Sequence, residues 1–386
     1  MFTLIKGATV YGPDLLGKKD ILMAADKIVA VAEDISLPDS LDAETVPAYD
    51  RIATPGFVDL HVHLTGGGGE GGPQTRVPEI QLSLITCAGV TTVLGVLGTD
   101  NITRHPESLL AKAMGLEAEG ITAYIMSGSY QLPPVTITGS VKKDIALISQ
   151  VVGVGEIAIS DHRSSQPDFK EFVQLVAEAR IGGMIGNKAG VVQLHMGHGS
   201  KGMDYLFRLA EETDIPVTQV FPTHVTKDAD VLEHAIRFAR MGGNVDITAS
   251  GKKPRAGKVP TDDALRRLKS QGINPAQVTV SSDANGSLPR FDAGGNYIGM
   301  KAAHISTLLA EFKYLVVQDF GIPDIVGLFT RNPAERIKID HRKGSIKTGW
   351  DADLLLFKPD WALDRVYAKG RLMVTNGRPL VFETFL

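Results

Sequence analysis

The residues best placed to do chemistry lie in the stretch Pro55-Gly56-Phe57-Val58-Asp59-Leu60-His61-Val62-His63-Leu64. Side chains alternate faces along an extended strand, so His61 and His63 are expected to point the same way, with Val58, Leu60, Val62 and Leu64 on an opposite, apolar face. Two imidazoles on one face can share a metal ion. A glycine-rich run at 66–72 follows at once and carries Glu70 inside it; such a run lets backbone approach a ligand closely. A metal strand followed by a substrate loop is therefore the first hypothesis. A chance His-x-His with merely packed imidazoles is the alternative.

Further donors decide between the two. His195 ends the strand-like Val191-Val192-Gln193-Leu194, His224 ends Val220-Phe221-Pro222-Thr223, and Asp283 follows Val278-Thr279-Val280-Ser281-Ser282. Neutral imidazole together with carboxylate oxygen is the donor set of catalytic Zn2+. Four histidines and one carboxylate at strand ends point to a metal centre far more specifically than any one of them alone.

The elements that must position them follow from periodicity. Strand-like runs at 57–63, 91–97, 123–127, 157–160, 191–196, 217–224, 244–248 and 278–282 alternate with helical patterns at 106–119, 168–180, 201–212, 230–240 and 262–270. Eight such units favour a (β/α)8 TIM-like barrel within the α/β class, with the polar residues at the C-terminal strand ends where barrel enzymes keep their chemistry. Short strands and turns fill both chain ends, so residues 1–54 and 345–386 are expected to meet in one small β-sandwich domain around a catalytic barrel at 55–344. The loop at 250–261, rich in Gly, Lys and Pro, reads as a solvated basic loop or as a lid.

Composition narrows the partners. The chain has 386 residues and a formal charge of -4, which gives no basic footprint for nucleic acid. No apolar run reaches membrane-spanning length, and the start has no secretory-leader pattern. The single cysteine, Cys87, excludes an intrachain disulfide and suits the cytoplasm; it reads as packing, since no general base adjoins it.

With these residues in order, the chain resembles the amidohydrolase superfamily along nearly its whole length. More narrowly, His63-Leu64-Thr65-Gly66-Gly67-Gly68-Gly69-Glu70, Gly98-Thr99-Asp100, His105-Pro106-Glu107-Ser108, Ser160-Asp161-His162-Arg163 and Ser281-Ser282-Asp283-Ala284-Asn285-Gly286-Ser287 are similar to the β-aspartyl (isoaspartyl) dipeptidases. The resemblance implies two Zn2+ per subunit, the first held by His61, His63 and Asp283 and the second by His195 and His224. Most members bridge the metals with a carbamylated lysine, and Glu156 stands at that position here. Glutamate keeps two oxygens and one negative charge, but its carboxyl carbon lies three bonds nearer the backbone than a lysine carbamate carbon. About 4 Å of reach must therefore be recovered, at roughly 1.25 Å per bond, and Gly153 and Gly155 allow a close approach.

The same resemblance implies hydrolysis of a β-aspartyl peptide bond in a small dipeptide. Glu70 would bind the α-amine, Arg163, Lys227 and Ser287 a carboxylate, and Gly68 and Thr99 would line the pocket. Asp283 would move the proton and Tyr130 would donate to the oxyanion. Lys227 departs from the family's usual arginine, and lysine keeps the charge while losing the planar fork. His162 is expected to support the site from behind, and His198 is close enough in sequence to His195 to be mistaken for a ligand. The family suggests a homo-oligomer, possibly an octamer. Competing readings are an amidohydrolase acting on another small cyclic or N-acyl amino-acid amide, and a non-catalytic assembly protein on the same fold.

Overall fold

A computed structural model describes residues 2–250, 257–292 and 297–385. The N-terminal segment forms strands β1 (Phe2–Tyr11), β2 (Leu15–Ala24), β3 (Lys27–Ala32), β4 (Ala43–Pro47) and β5 (Ile52–Pro55). Eight parallel strands follow: β6 (Phe57–Val62), β7 (Val90–Gly95), β8 (Thr122–Ser127), β9 (Val151–Ala158), β10 (Val191–His195), β11 (Val220–Thr223), β12 (Val245–Thr248) and β13 (Val278–Ser281). A hairpin, β14 (Ser287–Phe291) with β15 (Tyr297–Ala302), comes next, and β16 (Leu354–Phe357), β17 (Leu363–Ala368), β18 (Arg371–Thr375) and β19 (Arg378–Pro379) end the chain.

Strands β6 to β11 pair in sequence order, and β12 pairs with β13. Two backbone hydrogen bonds join these sheets at their seams: Val225 N to Asp246 O at 3.3 Å, and His63 N to Ala284 O at 2.9 Å. The eight strands thus curl into the expected barrel, with every seam bridged by main chain. Helices α1 (Leu82–Cys87), α2 (Pro106–Glu119), α3 (Val141–Leu147), α4 (Phe169–Gly186), α5 (Asp204–Glu212), α6 (Ala229–Arg240) and α7 (Thr261–Ser270) lie between strands, and α8 (Ser306–Leu315), α9 (Ile322–Phe329) and α10 (Arg331–Arg336) follow the hairpin. Local sequence caps the start of some of them. In α4 the Asp168 carboxylate accepts from Glu171 N while Glu171 accepts from Asp168 N, a reciprocal cap.

Both chain ends meet in one sheet ordered β19-β18-β17-β16-β5-β1-β2-β3, with β4 on β1. The join is β16 against β5, where Leu354 faces Pro55 and Phe357 faces Ile52. Because β5 runs straight into β6, this sheet is fixed to the strand that carries His61 and His63. Aromatic rings reinforce the junction: Phe312 of α8 lies 4.9 Å from Phe57 of β6 and 5.3 Å from Phe357 of β16, centroid to centroid.

Three expectations change in detail. The run at 157–160 catches only the end of β9, because Gly153 and Gly155 interrupt the β-branched pattern that begins at Val151. The segment 217–219 is a 3-10 turn that leads into β11. The single apolar face foreseen for β6 is divided. Val58 and Leu60 pack with Leu94, Val96 and Met126 of neighbouring strands, whereas Val62 and Leu64 belong to the cluster that includes the helix residues Leu109 and Leu116. The cause is broken alternation: the β6–β7 pairing shifts register between Phe57 and Val58 and again between Asp59 and Val62. Most of the 250–261 loop, residues 251–256, lies outside the described residues.

Candidate active site

The expected histidines and Asp283 sit at or near the C-terminal ends of their strands. His61 lies in β6 with His63 just beyond it, His195 closes β10, His224 follows β11, and Asp283 follows β13 two residues past Ser281. His224 and Asp283 take φ of +65° and +54°. Such values are uncommon outside glycine and are held only where surrounding structure fixes them. The strands turn at these two residues, which aims both side chains back over the barrel mouth.

Glu156 stands at the centre. Its Oε1 accepts from His195 Nδ1 in a short hydrogen bond and lies 3.0 Å from His224 Nε2, while Oε2 lies 3.3 Å from His61 Nε2. Asp283 Oδ1 lies 3.4 Å from His63 Nε2 and 3.7 Å from His61 Nε2. A β-bulge brings Glu156 there. Val154 faces Val192 and Ile157 faces Leu194, so Gly155 and Glu156 together oppose Gln193 alone. Gly155 has φ +151°, and a Cβ on Gly153 would fall 2.3 Å from Val191 O. Two glycines and one extra residue supply the approach that a shorter side chain requires.

Three sets of donors could each hold a cation: His61, His63 and Glu156; His61, His224 and Asp283; and Glu156, His195 and His224. The donor chemistry fits a metal. The buried atoms His61 Nε2 and Glu156 Oε2 have no hydrogen-bond partner among the described residues, and fully buried polar atoms seldom lack one without a reason. Charge agrees. Burial alone would push the His61 imidazole down, yet Glu156 and Asp283 more than offset it and raise its pKa to about 9. Burial would likewise raise Glu156, but His61 and His195 hold it well below the usual carboxylate range. This cluster attracts positive charge, as a proton on His61 or as a metal cation. His224 differs, since burial pushes it down to about 3 and keeps the ring neutral, the form that ligates.

Beside the cluster opens a cavity of 1120 Å³, lined among others by His63, Gly68, Tyr130, Lys227 and Asp283. On one wall the Glu70 carboxylate accepts from Thr99 Oγ1 at 3.2 Å, Ser287 Oγ at 3.1 Å and Arg163 Nη1 at 3.3 Å. The glycine loop is shaped for this contact: Gly68 has φ +80°, and a Cβ there would meet Thr75 O at 2.3 Å. Lys227 stands apart from this group. Its Nζ donates to Met196 O at 3.1 Å and lies 4.0 Å from Asp161, and burial pushes its pKa down. The Tyr130 hydroxyl lies 2.9 Å from His195 Nδ1. Burial first, and then the Glu156 charge, raises that phenol well above its ordinary value and keeps it neutral.

His198 is not among the clustered donors. It is exposed and pairs with Asp228 at 2.7 Å. His162 is exposed at the cavity rim. It is Asp161, its neighbour in sequence, that contacts the histidine cluster: its carboxylate takes Arg163 Nε at 2.9 Å and Nη2 at 3.0 Å and lies 3.3 Å from His195 Nε2. Burial would raise Asp161, but its bonds to His195 and Arg163 hold it far below the usual range. Reading the sequence also missed the β14–β15 hairpin, whose Arg290, Met300 and Lys301 line the cavity. The turn-type run Asp292-Ala293-Gly294-Gly295-Asn296 between its strands was the available signal.

Comparison with known proteins agrees with this architecture. The β-aspartyl dipeptidase of the thermophilic, keratin-degrading Fervidobacterium islandicum AW-1, crystallised with β-Asp-Leu dipeptide, is 41% identical with a TM-score of 0.92, covering 98% of this chain and 97% of that one. A second crystal structure of that enzyme gives 40% and 0.90, covering 98% of each chain. A D-hydantoinase structure, 16% identical with a TM-score of 0.71 over 100% of this chain and 98% of that one, shares the fold. The dihydroorotase of Aquifex aeolicus is 24% identical over 423 residues, 94% of this chain and 91% of that protein. Residues 52–377 match the amidohydrolase family, and the chain belongs to that family.

Proposed function

We propose that this protein hydrolyses the β-aspartyl (isoaspartyl) peptide bond of dipeptides, with two Zn2+ held in the cluster around Glu156. The observation that carries the reading is the Glu70 carboxylate, ringed by Thr99, Arg163 and Ser287, on the wall of the cavity that opens beside the clustered ligands. An isoaspartyl dipeptide brings an α-amine, two carboxylates and a scissile amide on the aspartate side chain. Glu70 suits the amine. Arg163, Lys227 and Ser287 suit a carboxylate, and Gly68 and Thr99 leave room for the backbone between them. The likeness over 98% of the chain to an enzyme crystallised with β-Asp-Leu supports the same substrate class.

His61, His63 and Asp283 would hold one metal, His195 and His224 the other, and Glu156 would bridge them in place of a carbamylated lysine. Bound metal supplies a Lewis acid and a water of lowered pKa. The Asp283 carboxylate stays ionised, because the bond from His63 and nearby imidazole charge outweigh its burial. It therefore takes the proton of the attacking water and returns it to the leaving amine. Tyr130 remains a neutral phenol, so its O–H can donate to the carbonyl oxygen as negative charge develops. Arg163 is held rigid by Asp161 and Glu70, which fixes one cation before substrate arrives. The reading takes the enzyme to be a cytoplasmic homo-oligomer.

The test is a chromatographic assay of β-Asp-Leu cleavage. Activity should disappear on chelation and return with zinc, and added bicarbonate should change nothing, because Glu156 needs no carbon dioxide. Zinc-loaded protein that leaves β-Asp-Leu intact but opens the ring of dihydroorotate would favour the cyclic-amide alternative.

A further inference from the structure

Strand β12 supplies no ligand, yet it lies between the two strands whose tips carry His224 and Asp283. Two of its side chains face them. Thr248, buried at 4% exposure, places Oγ1 2.6 Å from His224 Nδ1. Asp246 is fully buried and takes three hydroxyls: Thr223 Oγ1 at 2.7 Å and Ser281 Oγ at 2.6 Å on Oδ2, and Thr279 Oγ1 at 2.6 Å on Oδ1. Thr223 immediately precedes His224, and Ser281 lies two residues before Asp283. One carboxylate thus ties together the strand ends where both left-handed residues turn.

We infer that β12 is the positioning strand of the metal centre: Thr248 fixes the tautomer and plane of the His224 ring, and Asp246 locks the strand tips that present His224 and Asp283. A ligating Nε2 must carry the lone pair, so the ring proton sits on Nδ1, where Thr248 Oγ1 accepts it. A buried charge without a cation is stable only when its oxygens are hydrogen-bonded, and one hydroxyl from β11 with two from alternate positions on β13 supply that. This inference rests on the metal-binding part of the proposed function and does not depend on the substrate.

The experiment measures zinc affinity by chelator competition, with metal content by elemental analysis, on folded protein. Thr248→Val keeps shape and removes the acceptor; it should weaken zinc binding about 10–100-fold, the usual effect of losing a partner behind a ligand. Thr248→Ser restores the hydroxyl and should restore the affinity. Asp246→Asn turns one acceptor into a donor facing the hydroxyls and should also weaken binding. Unchanged affinity in Thr248→Val, or Thr248→Ser as weak as Thr248→Val, would overturn the inference and leave the functional reading standing. Wild-type protein that binds no zinc would overturn both. If Asp246→Asn does not fold, the Thr248 pair still decides.

Discussion

At the scale of single residues, the proposed metal site turns on Glu156. It touches three of the four clustered histidines, and no other carboxylate among the described residues does so. Glu156→Gln keeps the shape and removes the charge. Loss of a partner behind a ligand costs about 10–100-fold in metal affinity, so this change at the proposed bridge itself is expected to exceed 100-fold, read by metal analysis. Lys227 offers a second test. If it meets a substrate carboxylate, Lys227→Met loses a charge-assisted hydrogen bond of about 1.5–3 kcal/mol, or about 10–100-fold in KM with a smaller change in kcat. The histidines were legible because their spacing and strand-end positions are visible in sequence. The bulge that delivers Glu156 was not, because two residues opposing one is a property of pairing between β9 and β10. Sequence suggested only that Gly153 and Gly155 could permit a close approach.

At the scale of elements, the segment 65–77 must be held for Glu70 to face the cavity. Arg104 does this from the loop after β7. Buried at 4% exposure, it donates to Thr65 O at 3.2 Å, Val77 O at 3.0 Å and Asp100 at 3.0 Å, clasping both ends of the glycine loop. Arg104→Met should raise KM about tenfold, since 1.4 kcal/mol is tenfold and a charged hydrogen bond is worth at least that. Hydrogen exchange should increase across the loop while metal content stays at the wild-type level. Helices α2, α5, α6 and α7 were read nearly to their ends: Ser108 Oγ accepts from His105 N at the start of α2, Asp228 caps α6, and apolar periodicity marks α5, α6 and α7. Strand β6 was harder: its register shifts put Val58 and Leu60 in one cluster and Val62 and Leu64 in another, and period-two reasoning assumes an unbroken pleat. Asp161 was visible beside Arg163, but its contact with His195 spans 34 residues of sequence and exists only after β9 and β10 pair.

At the scale of the whole molecule, the two chain ends are tied to the barrel by a buried charge cluster. The fully buried Asp351 side chain meets Lys27 at 2.5 Å, Arg342 at 2.6 Å and Lys343 at 2.9 Å. Burial would raise its pKa, but Lys343 and the bonds from Lys27 and Arg342 hold it below the usual value. A carboxyl depressed in the folded state stabilises the fold above its unfolded pKa of about 3.9, and that stability fades as pH falls below it. Asp351→Asn should therefore cost about 3–5 kcal/mol at neutral pH, the usual effect of breaking a buried pair, and denaturant titrations should show the difference shrinking below about pH 4. No helix among the described residues is long and apolar enough to cross a membrane. That the ends share one sheet was legible from their matching strand-and-turn composition, whereas the aromatic junction of Phe57, Phe312 and Phe357 joins residues too distant in sequence to be paired by reading.

The central claim is that the cluster around Glu156 and the wall built on Glu70 together select the β-aspartyl linkage. Its most direct test is the ratio of kcat/KM for β-Asp-Leu to that for α-Asp-Leu, measured on one preparation of known zinc content. The account predicts that only the β-linked dipeptide is cleaved at an appreciable rate. Equal rates on the two, or zinc-loaded protein that cleaves neither, would contradict it.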